Sequence, residues 1–252
     1  MSAFFESFSL SYAQWALIAL CALLAGMSKT GVPGVSMLMV PAMAMIFGGK
    51  ASTGVLLPIL ITADIFAVIH YHRHAEWKPL LRALPWAILG LILALWIGAG
   101  VNDQQFKQLI AISVLFSLIL MVLNDRKNQK INFPDRPWFA ALFGILGGFA
   151  TMIGNVAGPV FAIYLLSLHL NKKNYIGTTA WFFAIINLTK LPLQYFVWDN
   201  IQEKTLLIDL MVIPFVMLGA YIGIKVVHAI PEQHYRWIVV FITFVSALLI
   251  FL

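Results

Sequence analysis

Ten apolar runs follow one another along the chain. They lie at about 12–28, 34–48, 52–71, 80–100, 105–123, 138–153, 156–170, 175–196, 205–224 and 236–252, with short polar punctuation between them. A helix needs about 20 predominantly apolar residues to cross a bilayer, and most of the runs approach that length. The pattern predicts an all-α integral membrane protein with a single transmembrane domain over residues 1–252. The second and seventh runs are shorter, and each follows a glycine-rich interruption, "GVPG" and "GNVAGP". They read either as short spans or as the returning limbs of re-entrant hairpins.

Composition agrees. The chain is 62% hydrophobic and 10% charged, against about 25% charged residues in soluble domains. No polar stretch is long enough for a second, soluble domain. Alternating crossings put Arg73, Lys78, Arg82, Arg126, Lys127, Lys130, Arg136, Lys172, Lys173, Lys225 and Arg236 on one side, and only Lys50, Lys107 and Lys204 on the other. The positive-inside rule makes the first side cytoplasmic. The expectation is a multi-pass protein of the bacterial inner (plasma) membrane with both termini periplasmic. A net charge of +6 then reflects topology, and no nucleic-acid partner is expected. Cys21 is the only cysteine, which leaves no disulfide framework and no thiolate metal cluster. The opening "MSAFFESFSLSY" has no Lys or Arg, so it reads as retained rather than as a cleaved signal.

The chain also repeats. Thr30–Asp64 aligns with Ile153–Asn187 at an offset of about 123 residues, with Gly31 on Gly154, Lys50 on Lys173, Gly54 on Gly177 and Asp64 on Asn187. Further on, "NDQQFKQLI" resembles "PEQHYRWIV" after a few inserted residues. Five runs per copy is an odd number, so the second copy enters the membrane from the opposite face. The expectation is two inverted repeats, about 10–123 and 138–252, joined by a cytoplasmic loop at 124–137. Each carries a broken or re-entrant helix pair at its glycine-rich motif. Broken helices in matching positions of inverted repeats are a transporter pattern, and the breaks point to the site.

The chemistry concentrates at those breaks. Irregular backbone at membrane depth is tolerated only where protein or water satisfies it. A helix restarting there presents free N–H groups and a positive dipole end, which suits an anion. Gly31 and Gly34 in the first break, and Gly154, Asn155 and Gly158 in the second, permit close backbone approach. The candidate substrate-binding set is therefore Lys29, Thr30, Gly31, Gly34, Gly154, Asn155, Gly158, Asn187 and Lys190. Lys29, Asp64 and Lys190 lie at or near membrane depth, where charged groups face partners or water-filled cavities. Asp64 and Lys190 read as a pair across the pseudo-axis, either structural or coupled to proton or substrate movement. Asp209 reads as interfacial. His70, nearest the membrane in "HYHRH", is a candidate proton relay beside Asp64. A metal site in that run has only Glu76 to join it, and none is expected. No nucleotide-binding or catalytic motif is present.

The residues resemble the sulfite exporter TauE/SafE family of membrane transporters. The resemblance covers nearly the whole chain. It rests on a glycine-rich block (Gly26, Gly31, Gly34, Pro41, Gly49, Lys50, Gly54) and its second copy from Gly148 to Gly177. It implies a small sulfur-containing anion as substrate, of the sulfite, sulfonate or sulfoacetate class.

The reading is a secondary transporter, not an enzyme. It needs no cofactor, has a small anion and the lipid bilayer as partners, and leaves room for a homo-oligomer. The alternatives are a membrane metalloenzyme using His70–His74 and an assembly subunit without transport of its own.

Overall fold

The computed structural model describes residues 10–32, 35–106, 108, 112, 137–231, 234, 235, 237, 238 and 241. The fifth and tenth runs, the 124–137 loop and Gly34 lie largely or wholly outside them. Among the described residues there are helices and no strands. The helices are α1 (Tyr12–Lys29), α2 (Met39–Phe47), α3 (Gly49–Tyr71), α4 (Trp77–Ala99), α5 (Pro137–Gly154), α6 (Gly158–Ser167), α7 (Lys172–Phe196) and α8 (Glu203–Ala229). Short 3-10 turns precede α2 (Val35–Leu38) and follow α3 (His72–His74). All but α2 and α6 are long and apolar enough to cross a membrane. Their outward faces carry Ile69, Trp96, Leu210 and Tyr221, each more than half exposed. In water such a surface would be unfavourable; lipid accommodates it.

Local signals set the helix starts. Ser11 and Gln14 form a capping box ahead of α1, the Asn171 side chain accepts from Asn174 N–H ahead of α7, and Gln202 pairs with Thr205 ahead of α8. Prolines sit inside α3, α4, α7 and α8, as membrane helices tolerate when neighbouring groups satisfy the freed carbonyls.

The seventh run is the returning limb of a hairpin. The Tyr164 ring in α6 lies 6.0 Å from that of Phe139 near the start of α5, while Val160 packs near Gly147 further along. The two helices are therefore antiparallel. Ten residues of α6 reach about 15 Å at 1.5 Å per residue, half of a hydrocarbon core of about 30 Å. The nine residues of α2 are likewise too few to cross.

Two long helix pairs frame the molecule, α4 with α5 and α8 with α1. In both the backbones touch at glycine. A Cβ on Gly148 would fall on the Ala87 carbonyl, and one on Gly90 on that of Ile145; one on Gly219 would fall on Leu23 and one on Gly26 on Val216. Gly144 on Ala83 and Gly148 on Ala87, like Gly219 on Leu23 and Gly223 on Met27, advance together along both chains, so each pair runs parallel. Pro85 and Gly90 in α4 stand at the same spacing as Pro214 and Gly219 in α8. Between the pairs, α3 and α7 cross antiparallel. Gly54 lies under the Asn200 carbonyl just beyond α7, and Gly177 lies under the Tyr71 and His74 backbone at the end of α3.

Neighbouring glycines of α5 separate close approach from helix propensity. Gly148→Ala should lower stability by about 1–3 kcal/mol through overpacking against Ala87. At Gly147 the nearest atom to a new Cβ is Val160 Cγ1 at 3.9 Å, so Gly147→Ala should be neutral or stabilising by up to about 1 kcal/mol. Thermal unfolding in detergent compares the two, and equal effects would contradict the packing described.

Candidate functional site

Where α3 crosses α7, Asn187 Nδ2 donates to Asp64 Oδ2 at 2.6 Å. Both side chains are 1% exposed. The other Asp64 oxygen is 2.8 Å from Lys29 Nζ, at the last residue of α1. That ammonium also lies 4.1 Å from the centre of the Phe183 ring, a distance at which the ring face attracts a cation. Asn187 Oδ1 faces Lys190 Nζ at 3.5 Å, and the same amine reaches Thr151 Oγ1 at 3.3 Å and Asn155 Oδ1 at 2.5 Å. A continuous chain, buried at its centre, thus joins the end of α1 to the turn between α5 and α6: Lys29, Asp64, Asn187, Lys190, Asn155.

A narrow cavity of about 40 Å³ runs beside this chain. A single water needs about 10–15 Å³ by this measure, so the space suits a few waters or a four- or five-atom oxyanion. Its polar lining comes from Ser28, Lys29, Ser36, Thr151, Asn155, Tyr175, Thr179 and Asn187, and its apolar lining from Leu60, Phe161, Ala162 and Phe183. Gly158, the first residue of α6, also lines it. A Cβ there would meet nothing within 4 Å, so the start of α6 opens onto free space.

A wider cavity of about 480 Å³ lies at the start of α3, lined by Lys50, Asp103, Trp198, Asn200 and Thr205 among others. Thr53, which lines neither cavity, is bonded to one lining residue of each. Its carbonyl accepts from Asn155 Nδ2 at 3.4 Å, and its hydroxyl accepts from Asn200 Nδ2 at 3.1 Å.

The expected site residues separate into groups. Lys29, Asn155, Gly158 and Asn187 line the narrow cavity, and Lys190 stands behind Asn155 and Thr151. Thr30 and Gly31 do not line it. The Thr30 hydroxyl lies 2.9 and 3.0 Å from the Gly26 and Ala220 carbonyls, within the α1–α8 contact. Gly31 has φ 140°, and a Cβ there would collide with Val227, so the chain needs glycine for backbone and packing together. Gly154 ends α5, is buried, and stays outside the lining. The expected Asp64–Lys190 ion pair is replaced by Asp64–Lys29, with Lys190 held by three neutral side-chain oxygens. Asp209, expected at the interface, is 7% exposed inside the bundle, and neither carboxylate oxygen has a hydrogen-bond partner among the described residues. His70 is exposed, beside Tyr71 and 6.3 Å from His228 between ring centres, apart from the buried chain. Among the described residues no group of three or more His, Cys, Asp or Glu could hold a metal.

Ser28, Ser36, Thr151 and Thr179 were not singled out from the sequence. The repeat register could have found two of them. Asp64 and Asn187 touch at a separation of 123 residues, and the same spacing relates Ser28 to Thr151 and Leu60 to Phe183 within one cavity wall. Ser36 and Thr179 have no such signal.

A family model described as sulfite exporter TauE/SafE matches residues 18–250. No curated protein and no solved structure matches the chain.

The pairing is open to a double-mutant cycle. Lys29→Met alone strands a buried carboxylate and should cost about 3–5 kcal/mol, much of which Asp64→Asn should restore. Lys190→Met with Asp64→Asn should show the smaller coupling. Larger coupling to Lys190 in thermal or chemical unfolding would reverse the assignment.

Proposed function

Because the chain belongs to the sulfite exporter TauE/SafE family, we propose that it exports a small sulfur-containing oxyanion and holds it in the narrow cavity beside Lys29. The observation that carries this reading is the Lys29 ammonium at the edge of a narrow cavity whose polar lining is otherwise neutral. Ser28 and Thr151 offer hydroxyls, and Asn155 and Asn187 offer amides. An anion there gains a charge-assisted hydrogen bond from the lysine, stronger than neutral ones. The unfilled start of α6 adds backbone N–H groups and a positive helix end. Phe161, Phe183 and Leu60 exclude water and strengthen these interactions. Lys190 supports the wall by holding Asn155 and Thr151 in place.

Alternating access through two inverted repeats is the transport cycle we infer. In its favour, α8 lies on α1 as α4 lies on α5, both pairs parallel, and α3 and α7 each tuck a glycine under the other's exit loop. The cavity lies beside the point where Asp64 and Asn187, equivalent in the repeat, meet. A potential of 100 mV, negative inside, favours exit of a monoanion by about 2.3 kcal/mol, so export needs no nucleotide-driven step. Asp64 is the acid placed to couple a proton if one moves. The asymmetry of the basic residues supports an inner-membrane location with periplasmic termini. Labelling of single cysteines introduced into the 124–137 loop and the termini, in a Cys21→Ser background, should mark only the termini from outside.

Purified protein should be stabilised by sulfite in detergent and should release it from proteoliposomes. Lys29→Gln should weaken sulfite binding by about 1–3 kcal/mol, and Gly158→Val should abolish it by filling the cavity. Unchanged affinity in both variants would refute the site.

A further inference from the structure

We propose that Asp64 is a tethered stand-in for the transported anion, taking the Lys29 ammonium whenever the cavity is empty. This rests on the export reading above and adds how the empty protein returns.

Lys29 has two faces. One lines the cavity; on the other, Asp64 Oδ1 sits 2.8 Å from Nζ without itself lining the cavity. A carboxylate and a sulfur oxyanion present similar oxygen acceptors to an ammonium, so the two compete for it. Lysine suits the exchange because its ammonium is a point charge on a flexible four-carbon stem. The Phe183 ring, 4.1 Å from Nζ, supports the cation at the cavity edge during a small swing. Asp64 is provided for when displaced. Asn187 Nδ2 keeps its hydrogen bond to Oδ2, and Asn187 is itself held by Lys190. Asn187 also lines the cavity, so the group that retains Asp64 is also one that meets the anion.

The consequence concerns the return step. An ammonium without a counter-charge is costly to carry through an apolar barrier. With the anion bound, or with Asp64 in its place, Lys29 is compensated in both halves of the cycle. Without the Asp64 carboxylate, only the loaded protein can reorient. It then exchanges anion for anion but performs no net export.

The test uses full-length protein in proteoliposomes loaded with radiolabelled sulfite. Efflux is measured into buffer without sulfite (net) and with unlabelled sulfite (exchange). In the wild type, external sulfite should accelerate efflux by no more than about twofold, because the empty protein already returns freely. In Asp64→Asn, exchange should persist while net efflux falls at least about tenfold, and sulfite should bind as tightly as in the wild type or tighter. Asp64→Glu, which keeps a carboxylate, should retain net efflux. Strong acceleration by external sulfite in the wild type would overturn the proposal, and this measurement requires no variant. So would an Asp64→Asn protein that binds sulfite yet keeps net efflux, or loses exchange and net efflux alike. Absence of sulfite binding and flux in the wild type would instead refute the export reading.

Discussion

A helix that breaks inside a bilayer frees N–H and C=O groups that lipid cannot satisfy, and each break here is closed by different means. In the first, Val32 N–H reaches back to Met27, the Thr30 hydroxyl bridges Gly26 and Ala220, and Tyr235 donates to the Gly31 carbonyl. Every one of these bonds also fastens the turn to itself or to its neighbours. In the second, Val156 N–H returns to Ala150 and Asn155 takes a left-handed conformation at φ 57°, which asparagine tolerates better than most residues. That turn leaves the start of α6 open. The two breaks therefore divide the work. The closed one follows Lys29 and the open one precedes Gly158, and both residues line the narrow cavity.

The chain linking the breaks gains its order from neutral groups as much as from charge. Buried ions are costly unless paired and hydrogen-bonded. Asp64 has an ammonium on one oxygen and an amide on the other, while the Lys190 amine meets three neutral oxygens. Asn187 is the hinge between them because an amide donates to the acid and accepts from the amine. Aspartate at 187 would place two carboxylates in contact, which explains why the repeat carries an acid in one copy and an amide in the other.

Much of this was legible in the sequence. Eight of the ten apolar runs became described helices, the short runs became short helices behind glycine breaks, and the register that set Asp64 on Asn187 placed two residues that touch. What the pattern could not supply was the direction in which neighbours lie beyond a crossing. Lys190 stands one turn past Asn187, and on α7 that turn leads away from Asp64 towards the start of α3, because the helices cross antiparallel. It therefore meets Asn155. Lys29 reads as a charge near membrane depth, but nothing in the run of α1 says that its last turn ends against Asp64 of α3. The lining hydroxyls were hidden for another reason. A lone Ser or Thr in an apolar helix commonly returns its hydroxyl to the carbonyl four residues back, as Thr179 does to Tyr175, and nothing local distinguishes that from a ligand-facing one.

Thr53 links residues that line the two cavities. Asn155 of the narrow cavity is bonded to its carbonyl and Asn200 of the wide one to its hydroxyl. Asn200 also donates to the Lys50 carbonyl at 3.1 Å, and its own carbonyl covers Gly54. All of these are contacts between neutral groups, and hydrogen bonds of that kind contribute about 0.5–1.5 kcal/mol each. At the far end of the same crossing, Gly177 lies under the backbone of Tyr71 and His74, and Thr178 accepts from Glu76 N–H at 2.9 Å. Each end of the α3–α7 crossing is thus shut by a helix glycine beneath the loop that leaves the other helix, with a neighbouring threonine bonded to that loop. Two similar contacts, each made of a few bonds between neutral groups, flank the Asp64–Asn187 contact at the two ends of the crossing.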